Sequence, residues 1–239
     1  MIPWELIDSA PVPGNDQELQ LYKRGAEFSI RMGGREIMNS RAHGSEDALA
    51  ERACERIAGR SKPRILVGGL GLGFTAAAAL RRIGPGGRVV VVELVPAVVQ
   101  WNRGPLGPLA GHPLRDPRVS LLEDDVVRVM QAEQRAYDAI LLDVDNGPED
   151  LIRKGNDRLY TRTGLETIHR ALRPGGVLAV WSAGPDQAFA QRLHRAGFQV
   201  KESRVRARGP EGGRRHTIWL GVVPERSRPS PPSKPRRPK

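Results

Sequence analysis

The chain of 239 residues contains one cysteine, Cys54, so no internal disulfide can brace it. Its five histidines, His43, His112, His169, His194 and His216, lack the spacing of zinc ligands, and no metal site is expected. No apolar run approaches the roughly 20 residues that a membrane span requires. The N-terminus carries Glu5 and Asp8 where a signal peptide would carry basic residues. A cytoplasmic chain without membrane attachment is therefore expected. Aromatic residues are scarce, at 5% of the chain. What is present, 39% hydrophobic residues, suits one sizeable domain with appendages.

Acid is also in deficit, with a formal net charge of +11, but the excess is local. Residues 224–239 carry a net +5 and residues 201–215 a net +4. The first of these stretches is Pro, Ser and Arg with nothing to bury, so a disordered basic tail is expected over 224–239. Such an arm suits a polyanion. No aromatic residue is interleaved with these charges, which weakens a case for base stacking, and a merely solvated tail is the favoured reading.

The punctuation of the chain predicts its organisation. Residues 18–37 alternate apolar and polar side chains around Arg24-Gly25 and Gly33-Gly34, as two or three short antiparallel strands would. A small β element is expected over 1–44 and the main domain over 45–223. Ser45 is the expected N-cap of a first helix that Gly59 stops. A strand and helix rhythm then runs to residue 222, with strands expected at 64–67, 88–93, 119–122, 139–143, 177–181, 198–202 and 216–222, and helices at 74–83, 96–102, 125–133, 165–172 and 187–196. Stretches such as "VVVVE" and "AILLD" are apolar without alternation, as in parallel strands covered on both faces. The expected fold is α/β: a doubly wound, mostly parallel, seven-stranded sheet of Rossmann-like type with a small N-terminal β element.

Within that frame, "ILVGGLGLGFTAAAAL" places Gly69, Gly71 and Gly73 in the first strand-to-helix turn, where the backbone can approach a ligand and the next helix offers its N-H groups. Glu93 closes the second strand, where a carboxylate can accept both hydroxyls of a ribose. These features alone suit either a nicotinamide or an S-adenosylmethionine site. Asp125 after the third strand, placed for an adenine amino group, and Asp143 at the end of the fourth favour the second.

The ordered set of glycine loop, Glu93, Asp125, Asp143 in "YDAILLDVDNGP", "LRPGG", "AGFQV" and "HTIWLGVV" resembles the class I S-adenosylmethionine-dependent methyltransferases over residues 60–223. A narrower resemblance, on "HGSE" at 43–46, "DPRV" at 116–119 and "LLDVDNGPEDL" at 141–151, is to the spermidine synthase-like proteins. The resemblance implies S-adenosylmethionine or its decarboxylated form as cofactor, a small amine-like substrate, and a homodimer that pairs through the body of the chain. It makes Asp143 and Asp145 the catalytic carboxylates that hold and deprotonate the attacking amine. One departure bears on the reaction. Aminopropyltransferases carry an aspartate in the first glycine loop, whereas Leu70 or a glycine stands there. An ammonium without full pairing costs several kcal/mol, so methyl transfer is expected ahead of aminopropyl transfer, and both ahead of a non-catalytic nucleic-acid or protein-binding module. His43, Trp101, Asn102, Tyr160 and Trp181 are the candidates for substrate walls.

Overall fold

The computed structural model describes residues 2–14, 16–144 and 156–225. Strands β5 (Arg64–Gly68), β6 (Arg88–Glu93) and β8 (Tyr137–Leu142) are runs of Ile, Leu and Val, and each is buried along nearly its whole length. Successive side chains of a strand point to opposite faces. Ile65 and Val67 accordingly enter one apolar cluster, and Leu66 the other. With β7 (Val119–Glu123), β9 (Leu172–Ser182), β10 (Gln199–Arg206) and β11 (Arg215–Val222) they form one seven-stranded sheet of order β10-β11-β9-β8-β5-β6-β7. The pairs from β7 through β9 are parallel, and β11 runs against both of its neighbours. The sheet is thus doubly wound, and its winding reverses beside β5, with β6 and β7 on one side and β8 and β9 on the other. In such sheets the crevice beyond the carboxyl ends of the strands at that reversal is where a ligand is received.

Helices α1 (Gly44–Arg56), α2 (Phe74–Arg82) and α3 (Pro96–Arg103) contribute to the cluster on one face. On the other lie α4 (Val126–Gln131), α6 (Arg162–Ala171) and α7 (Gln187–Arg195), preceded in the chain by the single turn α5 (Asp157–Tyr160). A separate antiparallel sheet of β1 (Glu5–Pro11), β2 (Glu18–Arg24), β3 (Glu27–Met32) and β4 (Arg35–Asn39) precedes them. It is small, yet Leu21, Phe28, Ile30 and Met32 belong to the same apolar cluster as Leu49 of α1 and Leu70 and Leu72 of the glycine loop. The N-terminal sheet therefore lies against the body and shares its core.

Local expectations fail in three places. β1 was absent from the expected strands because "ELIDSAP" has no clean alternation; it forms by pairing with β2 through a bulge between Leu6 and Asp8. Ser45 is not the N-cap of α1. His43 holds that position without a side-chain cap bond, and Ser45 sits buried inside the first turn. β9 begins at Leu172, well before the strand expected at 177–181, so that "RPGG" lies within it, and its pairing with β8 shifts register between Tyr137 and Ala139.

At the starting end of the sheet a buried acid is fully engaged. Asp138, 1% exposed, ion-pairs with Arg60 and, at 2.7 Å, with Arg173, and accepts the Arg64 backbone N-H at 2.7 Å. It clamps β5, β8 and the start of β9 together.

Candidate functional site

The loop after β5 folds as it does because its glycines occupy conformations that other residues avoid. Gly69 has φ +88°, and a Cβ there would run into the Asp143 carbonyl oxygen. Gly73, at φ +86°, is the N-cap of α2. The loop is then tied down from both sides. Glu93, at the end of β6 and 8% exposed, accepts the Leu70 N-H at 2.8 Å on one oxygen and the Val95 N-H at 2.9 Å on the other. Burial pushes its pKa up while these amides pull it down. Asn102 donates to the Gly71 carbonyl at 2.8 Å and to Val98 at 2.9 Å.

Beyond the carboxyl ends of β5 to β8 opens a cleft whose empty space, with the solvent at its open mouth included, is about 820 Å³. Its floor is Gly69, Gly71, Glu93, Asp124, Asp125 and Asp143, and its roof is the N-terminal sheet, with Val12, Ile30, Met32 and Met38. A second hollow continues from it past Gly71 and Asp143 to Glu46, Thr75 and Trp181. The lining of the two hollows therefore carries Glu46, Glu93, Asp124, Asp125 and Asp143, and among the described residues it includes no Lys, Arg or His.

Two of these acids make an electrostatic pair. Asp143 accepts the Thr75 hydroxyl at 2.8 Å, and burial raises its pKa against that bond. Glu46, in the first turn of α1, is pushed up to about 8, first by burial and then by the negative charge of Asp143. Two carboxylates that share a low-dielectric site do not both ionise at the usual pH. On the same wall the Trp181 Nε1 is buried without a hydrogen-bond partner among the described residues.

The expected site residues divide accordingly. Gly69, Gly71, Glu93, Asp125 and Asp143 come together on the cleft floor, and Trp181 lines the inner hollow. Asp125 also caps α4 by accepting the Val127 N-H at 2.8 Å, and its other oxygen faces Arg158 at 3.6 Å. Gly73 shapes the loop but lies off the lining. Trp101 is no wall of the cleft: it is 3% exposed and donates its indole N-H to Asp8 at 2.7 Å, tying α3 to β1. Asn102 holds the loop from beneath. Tyr160 is buried edge-on to Phe189 in the apolar cluster of the other face. His43 stacks on Phe74 at 4.1 Å, bonds Asp47 at 2.8 Å, and borders a different groove. Asp145 lies outside the described residues. Glu46, Asp124 and the roof residues escaped the sequence reading, although "HGSE" contains Glu46. An acid in a first helical turn reads as a favourable end charge, and only the packing of α1 beside β8 turns it inward.

A doubly wound sheet with a glycine turn, an acid closing the second strand and a cleft at the switch point is the arrangement of the class I S-adenosylmethionine-dependent methyltransferase-like superfamily. More narrowly, the family model "Spermine/spermidine synthase domain" matches residues 63–195, and the chain belongs to that family. It is similar to a polyamine aminopropyltransferase of Prochlorococcus marinus, 37% identical over 131 residues that cover 54% of this chain and 43% of that protein. It is also similar to putrescine N-methyltransferase 2 of Nicotiana attenuata, 36% identical over 116 residues, which cover 48% of this chain and 29% of that one. The matched stretches span less than half the length of these relatives. Among solved structures, the spermidine synthase of Thermotoga maritima shares the fold, with a TM-score of 0.71 at 15% identity over 91% of this chain and 72% of that one.

Proposed function

We propose that the chain transfers the aminopropyl group of decarboxylated S-adenosylmethionine to a small di- or polyamine. The observation that carries this reading is the sign of the cleft: its lining offers five carboxylates and no cationic side chain among the described residues. S-adenosylmethionine brings a carboxylate that needs a positive partner, whereas its decarboxylated form ends in an ammonium that acids hold. The objection from the missing loop acid loses its force, because Glu46 stands beside Asp143 and supplies a second carboxylate from α1. The aminopropyltransferases among its relatives support the same choice.

When bound, the cofactor supplies an electrophilic carbon next to a sulfonium leaving group. The protein's part is chiefly position and proton removal. Glu93 and Asp125 hold the nucleoside end, the apolar roof excludes water, and Asp143 with Glu46 holds and neutralises the amine. Methyl transfer remains the second reading, favoured by the putrescine N-methyltransferases among the relatives. Incubation with each cofactor and 1,4-diaminobutane, followed by mass spectrometry, separates them. A gain of one aminopropyl group is expected, and a gain of one methyl group only would overturn the proposal.

A further inference from the structure

Glu46 belongs to a chain of hydrogen bonds that leaves the site. The Ser45 hydroxyl donates to Glu46 Oε2 at 2.6 Å, and Ser45 Oγ lies 3.0 Å from His216 Nδ1 on β11. Ser45 is 1% exposed, so water does not interrupt the series, while His216 is only half-buried and reaches toward the surface. The groups facing it are few. Asp143 from the end of β8 and Asp47 from α1 act on Glu46 by charge, Thr75 of α2 bonds Asp143, Trp181 of β9 packs edge-on to His216 at 4.6 Å, and Arg214 acts on His216. Burial, with Arg214, lowers the pKa of His216, so that ring is neutral and has a nitrogen able to accept.

Resting on the amine-transfer reading, we propose that Asp143 and Glu46 together are the catalytic proton acceptor and that Ser45 and His216 form the route by which the proton held on Glu46 leaves the buried pair. Alkylation of an ammonium releases one proton per turnover. The amine N-H proton passes to the carboxylate pair, the freed nitrogen lone pair forms the C-N bond, and the C-S bond breaks with its electrons going to sulfur. Protonated Glu46 then donates to Ser45 Oγ as the Ser45 hydroxyl proton moves to His216 Nδ1, and the imidazolium releases its other N-H proton to water. Each side of this exchange is hydrogen-bonded throughout: an ionised Glu46 accepts from Ser45, and a protonated one donates to it.

Infrared difference spectra of the whole chain, taken without substrate from about pH 6 to about pH 10, read the first half directly. A protonated-carboxyl band should titrate with a midpoint near 8, vanish in Glu46→Gln, and move to higher pH in Ser45→Ala, which loses the hydroxyl that stabilises the anion. In turnover, Ser45→Ala and His216→Ala should slow transfer at neutral pH by about 10 to 100-fold, with cofactor affinity unchanged. Added imidazole should restore His216→Ala, a response that a structural role for the ring does not produce. A band that survives in Glu46→Gln, or a His216→Ala chain with the native pH profile and no response to imidazole, would overturn the relay. Absence of transfer to any amine would instead sink the transferase reading and with it the amine as the proton's source, so the two failures are distinguishable.

Discussion

Asp138 and Asp143 stand at opposite ends of the same strand, and the protein treats them in opposite ways. Asp138, inside the start of β8, is satisfied by two guanidinium groups and a backbone amide. Asp143, just past its end, has a threonine hydroxyl for a partner and a second acid, Glu46, for a neighbour. A buried carboxylate surrounded by donors is a rivet. One whose charge is left uncompensated is a cost to the fold that a cationic ligand removes on binding. On the proposed function, the same residue type at the two ends of one β-strand thus serves cohesion at one edge of the sheet and reception at the other.

Substitutions break that contrast in order of size. Asp143→Asn should lower transfer by about 100 to 10,000-fold, with the urea midpoint equal to or above that of the parent; a large loss of stability would show Asp143 to be a second rivet. Asp138→Ala should destabilise the chain by about 3 kcal/mol, since Arg60, Arg173 and the Arg64 amide lose their acceptor. Urea denaturation reads it directly, and unchanged stability would dissolve the comparison from the other side.

Glu46→Gln sharpens it through pH. Folded Glu46 is pushed up to about 8 from an ordinary 4.5, so between those values the folded chain keeps a proton that the unfolded chain releases. Stability therefore falls as pH rises through that window. Glutamine removes the slope, so the variant should be clearly the more stable at about pH 9 and nearly equal at about pH 5. Thermal melts at the two pH values check the sign. The smallest effect is expected from ending the chain at Pro224: cofactor affinity and turnover of a small amine should not change, because the cleft-lining residues among those described all come earlier in the chain. A truncated chain that binds cofactor normally yet loses all transfer, where the full chain binds in a salt-sensitive way, would indicate a polyanionic substrate.

The parallel strands are legible in the sequence because burial on both faces leaves unbroken runs such as "VVVVE". The cleft floor is legible for a related reason: Gly69, Glu93, Asp125 and Asp143 each follow a recognisable strand, so strand order alone gathers them at one edge. What sequence spacing does not carry is everything that enters from outside that repeat. Glu46 arrives on α1, and Met38 and Ile30 on a sheet whose first strand has no pattern of its own. Spacing offers Trp101 as a candidate wall, whereas its hydrogen-bond partner Asp8, 93 positions away in the chain, holds it in the packing between α3 and β1.

The acid lining of the cleft is set in a protein whose net charge is +11, and the two act over different ranges. Beyond a Debye length, about 10 Å at 0.1 M salt, an approaching polycation meets the repulsion of the whole molecule, and only at the mouth does it meet the carboxylates. Encounter and capture then respond to ionic strength with opposite signs. Added salt speeds diffusional arrival by screening the repulsion, while it weakens the hold of the floor once the ligand is seated. For a cationic substrate, raising the salt concentration is therefore expected to raise the association rate and the dissociation rate together.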